Sequence, residues 1–146
     1  AEPLRRRALV VGYGRPFALG ELRLELFPSG HAPGAAALLV EAGGRRAVYT
    51  GPLLWGPPAF GATRAEVRAA DAICVDATFG HPRFQFPARD EALAGLCRFV
   101  EDTLGQGRAP IVLAAAHECA LDVADALAHR GIAVRGHRSI VQAAIA

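Results

Sequence analysis

Gly43-Gly44 stands between two runs, AALLVEA (Ala36 to Ala42) and RRAVYT (Arg45 to Thr50), and this pair constrains the fold most. Both runs are rich in residues that suit a pleated, half-buried chain. A glycine pair supplies the two positive φ angles of a tight hairpin turn, so the runs are expected to pair antiparallel. Just upstream, Leu22, Leu24 and Leu26 alternate with Arg23 and Glu25, the period of a third strand with one apolar face. A short strand is also predicted at ALVV, before GYGRPFALGE.

The text then changes character. GPLLWGPPAFG (Gly51 to Gly61) is a Pro- and Gly-rich loop, and Thr63 is placed to cap a short helix, RAEVRAA. DAICVDA (Asp71 to Ala77) reads as a strand buried on both faces, and TFGHPRFQFP as a loop. Asp90 to Leu104 is the clearest helix, with Leu93, Leu96, Cys97, Val100 and Leu104 on one face. PIVLAAA is expected as a buried strand, Glu118 to Arg130 as a helix closed by Gly131, IAVRG as a short strand and SIVQAAI as a last helix. The expected class is therefore α/β: N-terminal antiparallel β hairpins followed by alternating β and α elements. With 146 residues one domain is expected, with a change of composition near Pro82 to Arg89 dividing residues 1–81 from 82–146.

Composition narrows the partners little. The net charge is +2, and all 16 basic residues are arginine, as a GC-rich coding background would give. No apolar run is long enough to span a bilayer, and no secretory signal pattern opens the chain, so no membrane partner and a cytoplasmic setting are expected. Cys74, Cys97 and Cys119 form no CxxC pair and read as buried free thiols of a reducing compartment. The chain begins with Ala1 and has no Met, so either an initiator was removed or the sequence is part of a longer protein.

Several chemistries can be set aside. In VGYGRPFALG the third glycine of a dinucleotide fingerprint would fall on Phe17, and strands rather than a helix follow. His117-Glu118 lacks the second histidine of a zincin, since Leu121 stands there. Ser29 and His31 share one short loop without the setting of a nucleophile elbow. His31 is the sharpest candidate. It ends a strand between Gly30 and Pro33-Gly34, whose small neighbours leave an imidazole uncrowded. Yet zinc needs about three protein ligands, and His81, His117, His129 and His137 show no ligand spacing.

Taken together, YGRPFALGELRLELFPSGHAPGAAALLVEAGGRRAVYTGPL resembles the metallo-β-lactamase fold in its β-CASP nuclease branch, nearest to DNA-ligase-associated exonucleases and mRNA 3′-end-processing-like proteins. Members read F-x-P-A-G-H-x-L-G-S-A, then a hairpin and S/T-G-D. ICVDATFGHPRFQFP is similar to the family's E-S/A-T-Y/F-G-x-P segment, and RAPIVLAAAHECALDVADALAHRGIAVRGHRSI to the strand–helix–strand that opens the β-CASP region. The resemblance runs from Tyr13 to Ile140 and implies a partial metallo-β-lactamase-like fold.

By that resemblance His31 matches a metal-binding histidine, and Asp76 the acidic residue of the first β-CASP motif, completed by Thr78, Phe79 and Gly80 and followed by His81. His31, Asp76, Thr78 and His81 are thus expected to form a vestigial site with no catalytic residue. The family's His-x-His-x-Asp-His loop has no counterpart upstream of Tyr13, and the aspartate of T-G-D is Pro52 here. No cofactor is expected, with zinc only if another chain or segment completes the site. The implied function is a catalytically inactive nuclease-like domain that keeps nucleic-acid binding, with Arg83, Arg89 and Arg138 as phosphate contacts. The alternatives are a non-catalytic interaction or oligomerisation module, whose exposed sheet surface a second copy or a protein partner covers, and a zinc-dependent exonuclease or hydrolase completed in trans.

Overall fold

The computed structural model describes residues 8–58, 60–114 and 117–140. The chain divides into two compact units, Ala1–Ala77 and Thr78–Ala146. The architecture is α/β, with a mixed five-stranded sheet in the first unit and helices in the second.

The sheet runs β1 (Phe17–Leu19), β2 (Leu22–Pro28), β3 (Ala36–Ala42), β4 (Arg45–Tyr49) and β5 (Ala72–Cys74), adjacent in that order. The first four pair antiparallel and β5 joins β4 in parallel. Gly43 and Gly44 take φ of 56° and 74°, as a type I′ hairpin turn requires. Cross-strand partners share a face. Phe27, Ala37, Leu39 and Val48 therefore lie together and form the buried core of this unit. The opposite face carries Leu22, Leu24, Leu26, Leu38, Val40 and Tyr49. Of these Leu24 is buried, Leu22 and Tyr49 are exposed, and the others are half-buried.

Four expectations need correction in this unit. ALVV forms no strand, and Leu9 and Val10 are exposed. Phe17–Leu19, not expected as a strand, pairs with the start of β2. RAEVRAA is not a helix. It is held non-helical by contacts to the sheet: Glu66 N donates to Pro28 O, and Arg68 Nε donates to Glu25 Oε1 at 2.8 Å with its guanidinium 4.8 Å over the Phe27 ring. Local helix preference is weak, and these tertiary contacts outweigh it. Finally, β5 is an exposed edge strand of three residues, not one buried on both faces, and Cys74 on it is exposed. Beside the parallel ladder of β5 with β4, Asp71 adds to the hold: its carboxylate accepts the Arg46 N–H at 2.7 Å, and Asp71 N donates to Arg46 O at 2.9 Å.

Glu25 and Glu66 both pair with Arg68, and the Glu25 hydrogen bond is the largest influence raising its pKa above the usual arginine value. Replacing Arg68 by alanine removes both the pair and the cover over Phe27. A loss of about 1–2 kcal/mol is expected in chemical denaturation, more than an exposed ion pair alone supplies.

In the second unit α1 (Arg89–Gly105) and α2 (His117–Ala128) fall where the 3.6-residue pattern predicts them. Cys97, Val100 and Leu127 form the core, with Leu96, Val112, Val123, Ala126 and Ile132 against it. Arg89 grips Asp122 at 2.6 and 3.0 Å, tying the start of α1 to α2. Gly131, at φ 72°, ends α2. PIVLAAA, expected as a buried strand, and IAVRG, expected as a short strand, pair with nothing in a sheet among the described residues. Val112 packs on the helices while its neighbours Ile111 and Leu113 are 82% and 93% exposed. Among the described residues only one face of this segment is covered, and a parallel strand needs cover on both. Cys119 is exposed, against expectation. The last helix is described only at residues 138–140, and the rest of SIVQAAI lies outside the described residues. Among the described residues no helix is long and apolar enough to cross a membrane.

Candidate functional site

The register puts the ends of β2, β4 and β5 side by side. Pro28 pairs with Ala36, Leu38 with Tyr49, and Tyr49 with Cys74. The loops leaving these strand ends carry His31, Thr50-Gly51-Pro52 and Asp76.

These loops are bonded to one another. Leu54 N donates to Ser29 O at 3.0 Å, and Thr50 N donates to Cys74 O at 3.0 Å. The buried Thr50 hydroxyl donates to Gly51 O at 2.8 Å and accepts the Asp76 N–H at 3.3 Å. Thr50 thus ties the loops after β4 and β5 together, a role the sequence pattern does not assign; its position at the end of the hairpin's second strand is the available signal. Gly30 has φ 78°, and a Cβ there would meet Leu54 O at 2.4 Å. Only glycine lets the His31 loop and the Pro52 loop approach this closely. Tyr13 donates to Ala35 O at 2.9 Å at the far end of the same loop, and partial burial pushes its pKa upward.

Within this junction His31 is half-buried, Asp76 and Pro52 are exposed, and Ser29 is buried with its hydroxyl unpartnered among the described residues. Thr78 and His81 belong to the other unit. There His81 serves a turn: its Nδ1 accepts the Arg83 N–H at 3.1 Å and its carbonyl accepts the Phe84 N–H at 2.9 Å.

A zinc site takes about three or four protein donors. Of the residues expected to ligate metal, His31 and Asp76 stand on these strand-end loops; Glu66, whose N–H meets Pro28 O, is paired with Arg68, Asp71 is bonded to Arg46 N, and the proline at position 52 offers no donor through its side chain. Among the described residues no group of three or more His, Cys, Asp and Glu side chains could hold a metal ion. This donor set does not fit a two-metal hydrolytic centre. No model of a known protein family matches the chain, and no curated protein matches it.

Proposed function

We propose that this chain is a metallo-β-lactamase-type domain of the β-CASP nuclease branch that binds nucleic acid without cleaving it. The observation that carries this reading is the strand-end junction. His31 and Asp76 stand on loops joined through Thr50 and Leu54, in the order of the family's motifs, while the position of the bridging aspartate holds Pro52. With one imidazole and one carboxylate, no ion is held firmly enough to lower the pKa of a bound water.

Binding then rests on arginine and phosphate. Arg89 is committed to Asp122, whereas Arg83 makes no ion pair among the described residues. Binding of labelled DNA and RNA, measured at low and high salt, is expected to be salt-sensitive. Absence of salt-sensitive binding would contradict the proposal. Pro52→Asp is expected to leave strand cleavage undetectable, because one restored carboxylate still leaves the donor set short. Stoichiometric zinc in the purified protein would favour a hydrolase completed by another chain or segment.

A second reading is favoured by the apolar sheet face. Leu22 and Tyr49 are exposed on it, and Leu26, Leu38 and Val40 are half-buried. A sheet face of this kind is suited to cover by a second copy or a protein partner. Sedimentation at micromolar concentration checks it: self-association supports an interaction module, and a clean monomer counts against self-association.

A further inference from the structure

The loop from Thr78 to Arg89 carries three phenylalanines, two arginines and one histidine, and no acidic residue stands between Asp76 and Asp90. Its rings are organised. Phe79 stands nearly perpendicular to Phe84 and to Phe86, with centroids 5.4 and 5.3 Å away. Phe84 and Phe86 lie within 9° of parallel at 6.3 Å. The Arg83 guanidinium lies 4.7 Å from the Phe84 centroid. The His81 turn, closed by its bonds to Arg83 N and Phe84 N, fixes the backbone that presents them. Phe79 and Phe86 are nevertheless 62% and 67% exposed.

Large rings are normally used to fill a core, yet here they hold one another in place at the surface. Each exposed ring offers a rigid apolar face at little further entropic cost. Beside them lies a cation with no carboxylate partner among the described residues, on a stretch whose only charges are positive. Aromatic faces alone suit many apolar partners. Aromatic faces interleaved with unpaired arginine on an acid-free loop suit a polyanion that also presents flat π surfaces. A single-stranded nucleic acid has both, whereas a duplex keeps its base faces stacked inside.

We infer that Phe79, Phe86 and Arg83 form a stacking platform for the unpaired bases of a single strand, with Arg83 on the phosphates. The inference rests on the nucleic-acid-binding reading above and adds the strand state that is recognised. The bases stack on Phe79 and Phe86, and Phe84 supports both rings from behind Arg83. Sequence preference is small, because every base has a π face.

The test is fluorescence anisotropy of the whole chain with a labelled single strand and with a duplex of the same length and sequence. The single strand is expected to bind about tenfold more tightly or better. Phe79→Ala and Phe86→Ala are each expected to weaken single-strand binding on the order of tenfold and to leave duplex binding unchanged, while Phe86→Trp retains it. Arg83→Ala should weaken both and lower the salt slope by about one. Arg23→Ala, on β2 and paired with Glu41, serves as the charge control and should change neither. Circular dichroism confirms that each variant is folded. Equal binding of single strand and duplex, untouched by the phenylalanine variants, overturns the platform while general binding stands. No binding to either overturns the platform and the reading beneath it together. Loss of self-association in Phe79→Ala or Phe86→Ala with unchanged nucleic-acid binding overturns the platform in favour of a protein contact.

Discussion

Gly30→Ala is expected to destabilise the sheet unit by about 3 kcal/mol or more, and to disorder the His31 loop with it. Two costs combine. The residue sits at φ 78°, where a side chain is strained, and its new Cβ would stand 2.4 Å from the backbone oxygen of Leu54. A backbone oxygen cannot swing aside as a side-chain tip can. The loops of His31 and Pro52 would have to separate, breaking the Leu54–Ser29 bond. Gly34→Ala provides the comparison. Its φ is also 78°, but nothing lies within 4 Å of a Cβ there. It should cost only the conformational strain, about 1 kcal/mol. Urea unfolding of the two variants checks the difference. Equal losses would mean that the close approach at Gly30 is not a constraint.

Phe27→Ala is the second large effect, at about 3–5 kcal/mol. Phe27 is the largest member of the core it forms with Ala37, Leu39 and Val48, and the Arg68 guanidinium covers its ring. Removing the ring leaves a cavity under that guanidinium and withdraws one of the three contacts that keep residues 64–70 along the sheet, beside the Glu66–Pro28 and Arg68–Glu25 bonds. A domain of this size is typically stable by about 5–15 kcal/mol, so this loss takes a large share. Amide hydrogen exchange should show faster exchange in β2, β3 and residues 64–70. A change confined to the point of substitution would show that the segment is held by other contacts.

What was legible in the sequence follows from where the information lies. The β3–β4 hairpin is local: two glycines with positive φ between apolar runs are sufficient to define it. The two long helices are local as well, because each carries its own repeating apolar stripe. The errors fall where an element depends on distant neighbours. RAEVRAA has helix-forming residues, but Glu66 and Arg68 bond to Pro28 and Glu25, far away in the chain. DAICVDA and PIVLAAA are apolar enough to be buried strands, but burial needs a layer on each side, which a pattern along one segment does not encode. Ile73 on β5 and Ile111 and Leu113 are exposed for that reason.

The candidate site was legible in part. The glycine and proline setting of His31 pointed to a tight loop at a strand end, and such a loop is present. The bonding of that loop to Leu54, and of Asp76 to Thr50, depends on strand register and could not be read from spacing. The phenylalanine cluster was visible as letters in TFGHPRFQFP, but its mutual ring geometry, and its exposure despite its apolar character, needed the fold.

Binding without cleavage has two halves, and a single incubation reads both. An end-labelled single strand is incubated with the purified chain in zinc- or manganese-containing buffer, its retention read at low and high salt and its length read on a denaturing gel. The strand is expected to be retained at low salt, released at high salt and recovered at full length. A strand shortened in a metal-dependent manner, or one never retained, would contradict binding without cleavage.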